Sequence, residues 1–186
     1  MCSTGYSNDM DSPCSCGIGP VSRFDALCVD DWEAMIDVNI KGVLDGIAAA
    51  LPVLRHQGTG HFINVDSTAG LKIVPSQGVY AATKNAVRTI TEALRQEAGD
   101  RLRVTGISPG FVRTDFAESM ADATTKAAIQ KRMGEIAISP DAIGRAIAFA
   151  IEQPADVDVG EIVIRPTAQD WCCVAREIRP KSRPFL

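Results

Sequence analysis

The chain has 186 residues, 46% of them hydrophobic, and carries a formal net charge of −4 with a pI near 5.2. That supplies enough apolar material for one packed domain, and the acidic balance offers no basic field for a nucleic-acid backbone. The longest apolar run, VLDGIAAALPVL at 43–54, contains Asp45 and Pro52 and falls well short of the roughly 20 residues a membrane span requires.

Residues 1–16 are rich in Ser, Cys, Asp and Gly without an apolar period and read as an irregular arm. They show neither the basic start nor the apolar centre of a secretory signal, so a cytoplasmic location is expected. The six cysteines stand at 2, 14, 16, 28, 172 and 173. Neither Cys14-x-Cys16 nor the Cys172–Cys173 pair has zinc spacing, and both histidines, His56 and His61, lie elsewhere. Reduced thiols, normal for the cytoplasm, are expected rather than a metal site.

From Val29 to about Gly58, apolar residues recur every three or four positions and predict one long amphipathic helix. HFINVDS at 61–67 predicts a buried strand. A loop with Gly70 and Pro75 leads to a second helix over 78–98, and LRVTGIS at 102–108 predicts another buried strand. Pro109-Gly110 breaks the chain, and 111–138 reads as loop with a short helix. Within it, Phe116, Met120 and Met133 suggest an apolar lid or ordinary core. Ser139-Pro140-Asp141 starts a helix to about 152, EIVIRP at 161–166 is a last strand, and 170–186 form a basic, irregular tail.

Strands alternating with helices predict an α/β fold with a doubly wound parallel sheet. Ligands of such sheets bind beyond the carboxyl ends of the strands, where Ser67 and Pro109-Gly110 fall.

The stretch GVYAATKNAV at 78–87 holds one of the two tyrosines, Tyr80, four residues before Lys84. On a helix these positions share a face. A free phenol, with a pKa of about 10, is a poor proton donor or acceptor at neutral pH. A neighbouring cation would favour the phenolate. The same spacing also suits a solvent-facing pair in which Lys84 lies over an apolar helix.

Taken together, Asn39 in DVNIKG, Ser67 in INVDSTAG, Tyr80-x-x-x-Lys84, and Ile107-Ser108-Pro109-Gly110 followed by Thr114 resemble the classical short-chain dehydrogenase/reductase family. The resemblance spans roughly Gly17 to Gln169, implies a Rossmann-like core there, and leaves the arm at 1–16 and the tail at 170–186 outside. It implies an oxidoreductase that moves a hydride between NAD(P)(H) and a secondary alcohol or ketone. Tyr80 would be the general acid/base, and Lys84 would lower its pKa and hydrogen-bond the nicotinamide ribose. Ser67 would orient and polarise the substrate oxygen, and Asn39 would hold a water linking Lys84 to solvent. Pro109, Gly110, Val112 and Thr114 would contact the nicotinamide end, with NADP slightly favoured over NAD. The helices at 29–57 and 78–98 resemble those through which the family forms homo-oligomers.

Two departures stand out. Asp66 precedes Ser67 where relatives commonly carry serine. No G-x-x-x-G-x-G occurs in the chain, and Cys14-Ser15-Cys16-Gly17 stands in place of the family's Asn-Asn-Ala-Gly. The resemblance therefore covers a partial Rossmann-like sheet without its N-terminal cofactor-binding half, with a central strand left as an edge. The cysteine-rich ends suggest a truncated or mispredicted reading frame. The alternatives to an enzyme are a non-catalytic remnant and a dimerising interaction module.

Overall fold

Two strands, apolar through most of their length, form the middle of the sheet. β2 (Gly60–Val65) and β3 (Leu102–Pro109) pair in parallel, from Gly60 opposite Leu102 to Val65 opposite Ile107. Phe62–Asn64 and Val104–Ser108 are buried, as parallel strands covered on both faces should be. The structure is a computed structural model that describes residues 13–14, 17–120 and 122–169. In it β1 (Pro13–Cys14) and β4 (Glu161–Ile164) flank the central pair, giving the order β1-β2-β3-β4, all parallel.

The helices are α1 (Val29–Met35), α2 (Gly42–Gln57), α3 (Gly78–Glu97), α4 (Ala123–Ile136) and α5 (Asp141–Ile151). Phe62, Leu102 and Val104 pack with Leu54 of α2 and Leu94 of α3, so these two helices cover one face of the sheet. Arg103, the next residue along β3, points to the other face and donates to the carbonyls of Ala150, Ile151 and Gln153 at the end of α5. A cation on those carbonyls complements the negative end of the helix. The sheet is therefore wound on both faces. The β2-to-β3 and β3-to-β4 connections step the same way across it but cross on opposite faces, so they have opposite hands and one departs from the usual right-handed rule.

Three elements differ from the sequence expectation. The helix expected over 29–57 contains a wide, π-type turn at Ile36–Lys41, where the Gly42 N–H reaches back five residues to Asp37 O. The segment 111–138, expected to be mostly loop, holds a 3₁₀ turn at Asp115–Ser119 and the 14-residue α4. α4 has no fully buried residue and only a short half-buried apolar stripe, of which Ile129 packs against the Tyr80 cluster; it is also held by the Asp122 carboxylate accepting from Thr125 N and by Glu118 accepting from Lys126 and Gln130. The two-residue β1, in the segment at 1–16 expected to be an irregular arm, pairs beside Ile63 and Asn64 of β2 and stands at the edge of the sheet. The rest of the arm and the tail lie outside the described residues. Of the six cysteines only Cys28 has a described side chain, and it forms no disulfide.

Leu54, 3% exposed, joins α2 to both central strands. Leu54→Ala is expected to cost about 2–5 kcal/mol of stability, read from the shift in urea midpoint at unchanged slope.

Candidate active site

α3 turns a long buried face to the sheet: Tyr80, Ala81, Thr83, Lys84, Val87, Thr91 and Leu94. Tyr80 is 9% exposed and Lys84 6%, which excludes the solvent-facing pair. The Lys84 Nζ donates to the carbonyl of Val65, the last residue of β2, at 3.0 Å. Gly17 lies so close that a Cβ there would stand 3.0 Å from Nζ. Tyr80 packs with Val21, Met35 and Met120, and its ring meets that of Phe116 at a centroid distance of 5.4 Å.

Ser67 stands two residues beyond the end of β2, at the carboxyl end of the sheet. Its Oγ accepts from Ala69 N at 3.1 Å, and its hydroxyl lies near enough to the Tyr80 phenol to favour the phenolate. The loop from Thr68 to Gln77 folds back so that the start of α3 meets the end of β2. Sequence separation of 13 residues thereby becomes side-chain contact.

Asn39 lies in the π-type turn, 1% exposed. Its Oδ1 accepts from Ile18 N at 2.9 Å, and its Nδ2 donates to Ile18 O at 2.9 Å and to Thr83 Oγ1 at 3.0 Å. Thr83 Oγ1 donates in turn to Tyr80 O at 2.8 Å. Asn39 is thus satisfied by the backbone and by Thr83, with both of its N–H groups engaged. The structure brings Asn39, Ser67, Tyr80 and Lys84 together around the Val65 carbonyl and the segment Gly17–Ile18.

The other predicted residues form the loop beyond β3. Pro109 ends the strand, and Gly110 N donates to Ile164 O at 2.7 Å. Val112 bridges to Ile138, and the Thr114 side chain caps the turn at Asp115–Ser119 by accepting from Phe116 N. This loop reaches Tyr80 through Phe116 rather than through the four named residues. Met120, 5% exposed, belongs to the Tyr80 core cluster, while Met133 lines a separate cleft of about 230 Å³ with Arg113, Asp115, Glu118 and Gln130. None of Ser67, Tyr80 and Lys84 lines that cleft.

Sequence reading missed Thr83 and Gln169. Gln169 accepts from Phe111 N and donates to Thr68 Oγ1, tying the loop after β3 to the residue beside Ser67. Its partners lie 58 and 101 residues away, beyond the reach of any spacing rule.

Burial pushes the Tyr80 phenol above its usual range, and the Ser67 hydroxyl pulls the other way. Burial pushes the Lys84 ammonium down, and the Asp66 carboxylate holds it up. For Tyr80, removal from water therefore outweighs the lowering influence sought in Lys84.

The family model for short chain dehydrogenases matches residues 14–125. The chain belongs to the short-chain dehydrogenase family. An uncharacterized oxidoreductase of Listeria monocytogenes is 45% identical over 158 residues, which cover 83% of this chain and 64% of that protein. Among solved structures, serine dehydrogenase complexed with NADP+ superposes with a TM-score of 0.79 at 30% identity, covering 85% of this chain and 65% of that one. An alcohol dehydrogenase from Thermococcus sibiricus, complexed with 5-hydroxy-NADP, gives 0.72 at 28% identity, covering 85% and 63%. The short-chain dehydrogenase chain thus spans a little under two thirds of the length of these relatives.

Ser67→Ala removes the hydroxyl that opposes burial. The Tyr80 phenol is therefore expected to ionise at still higher pH in that variant, measured by ultraviolet difference titration in a Tyr6→Phe background.

Proposed function

We propose that this chain carries the proton-handling part of an NAD(P)-dependent oxidoreductase that interconverts a secondary alcohol and a ketone. The observation that carries the proposal is the buried cluster in which the Tyr80 phenol stands beside Ser67 and one helical turn from Lys84.

The residues fit one end of a dinucleotide. Gly17 is exposed beside the Lys84 ammonium, leaving open space where a side chain would close it, and Lys84 presents donors suited to ribose hydroxyls. The other end has no counterpart among these 186 residues, which contain no glycine-rich pyrophosphate turn. A bound nicotinamide supplies or takes the hydride. In the direction of reduction, Ser67 Oγ–H hydrogen-bonds the carbonyl oxygen and Tyr80 passes its phenolic proton to that oxygen. In oxidation Tyr80 accepts the alcohol proton. Lys84, charged beside it, favours the phenolate left behind. Asn39 fixes Ile18 against α3 so that the two sides of the site keep their spacing.

NADP is favoured over NAD because the serine and alcohol dehydrogenases above were solved with NADP+ and 5-hydroxy-NADP. A secondary alcohol or its ketone is the substrate class that Ser67 and Tyr80 can serve. The proposal includes a cytoplasmic location and a homo-oligomer through the helices at 29–57 and 78–98. Ile36, Leu44 and Val53 support the latter by exposing apolar side chains on the first of these segments. Among the described residues no helix is long and apolar enough to cross a membrane.

A second reading, a non-catalytic remnant or a dimerising interaction module, is favoured by the missing glycine-rich turn. Fluorescence titration with NADPH and NADH separates the two. The enzyme reading expects saturable binding, and turnover that falls by about 10²–10⁴-fold in Tyr80→Phe with binding retained. Absence of binding to either nucleotide favours the remnant.

A further inference from the structure

Asp66 continues the pairing of β2 by one residue, its N–H donating to Ile107 O at 2.7 Å. Its side chain is 4% exposed and lies on the α3 face of the sheet, over Gly106 of β3. A Cβ at Gly106 would stand 2.9 Å from Asp66 Oδ2, so glycine there makes room for the carboxylate. The other oxygen, Oδ1, is buried with no hydrogen-bond partner. An incompletely partnered buried carboxylate is costly.

The charged groups that face Asp66 come from two elements, Lys84 and Arg88 of α3 and Glu161 of β4. From β3, Gly106 and Ser108 present nothing that titrates in this range. Arg88 is engaged by Glu161 through both Nε and Nη2, and Ser108 Oγ donates to the same carboxylate at 3.1 Å. Lys84 hydrogen-bonds the carbonyl of Val65, the residue before Asp66.

We propose that Asp66 is a positioning residue for the Tyr80–Lys84 pair, a buried counter-charge that keeps the Lys84 ammonium charged beneath the proton-transfer site. The assignment rests on the oxidoreductase reading of that pair. Burial, with Glu161 adding to it, raises the Asp66 carboxyl to about 7 against the pull of Lys84 and Arg88. Asp66 therefore gains its proton just below neutral pH, and Lys84 then loses the charge that offsets its own burial. The native carboxyl binds its proton more tightly than the unfolded one. The folded state therefore loses stability as pH rises from about 4 to about 7, and this slope vanishes without Asp66.

The test uses the full chain without nucleotide, so its outcome is independent of whether the chain binds NADPH or turns over. Aspartate carboxyl carbons and lysine Cε carbons are followed by ¹³C NMR titration. Asp66 is expected to titrate near neutrality, and to move up by about one unit or more in Lys84→Met. In Asp66→Asn the Lys84 ammonium is expected to titrate lower than in the parent, with Asp66→Glu restoring it. A merely structural Asp66 would leave the Lys84 titration in place. Thermal unfolding of Asp66→Ser between pH 4 and 7 should lack the decline seen in the parent. An Asp66 carboxyl that titrates in the ordinary acidic range, unmoved by Lys84→Met, overturns the proposal, as does a Lys84 titration indifferent to Asp66→Asn. If the Asp66 variants do not fold, the parent and Lys84→Met titrations decide alone.

Discussion

The carboxamide of Asn39 ties three separate stretches of chain together. It accepts from the Ile18 amide, donates to the Ile18 carbonyl, and donates to Thr83 between Tyr80 and Lys84. Each of those groups is taken from water, and losing the amide would leave several of them unpaired at about 1–3 kcal/mol apiece. The tie matters because the segment at Gly17–Ile18 and α3 form opposite walls of the site, and neither pairs with the other through the sheet ladder. Asn39 holds that spacing together with Ile18 and Val21, which pack in the Tyr80 cluster.

The same enclosure sets the electrostatics. Tyr80 is pushed up, Lys84 down and Asp66 up, each toward its neutral form, and burial is the largest cause in all three. Charge persists in such a place only by mutual support. Ser67 supports a phenolate at Tyr80, and Asp66 supports the ammonium. The salt bridge of Arg88 with Glu161, at 3.0 Å and partly open to water, forms the outer rim of this group. Of the three, Asp66 alone lies near the balance between charged and neutral at neutral pH, its carboxyl raised to about 7.

Much of this was legible in the sequence, for reasons that differ by element. β2 and β3 are continuous apolar runs between breakers, and α3 carries a full helical stripe, so each showed its period. Tyr80 and Lys84 were legible as neighbours because four residues make about one helical turn, and Ser67 because it stands at the end of an apolar strand run. β1 was not, since two residues carry no period. α4 was not, since its apolar stripe of Ile129, Met133 and Ile136 is short and only half-buried. Gln169 and Thr83 act across the fold, and no local pattern marks them. The π-type turn was hidden because Met35, Asn39 and Val43, spaced four apart, read as an ordinary helix.

That spacing gives the wide turn a geometric meaning. On a regular helix four residues overshoot a full turn by about 40°, so two such steps would swing Val43 about 80° away from Met35. Yet Met35, Asn39 and Val43 are all buried, at 1%, 1% and 7% exposure. One surplus residue in a single turn absorbs most of that drift. The turn works as a phase corrector: upstream of it the helix faces the Tyr80 cluster, downstream it faces the sheet, and Asn39 sits at the node where both alignments hold.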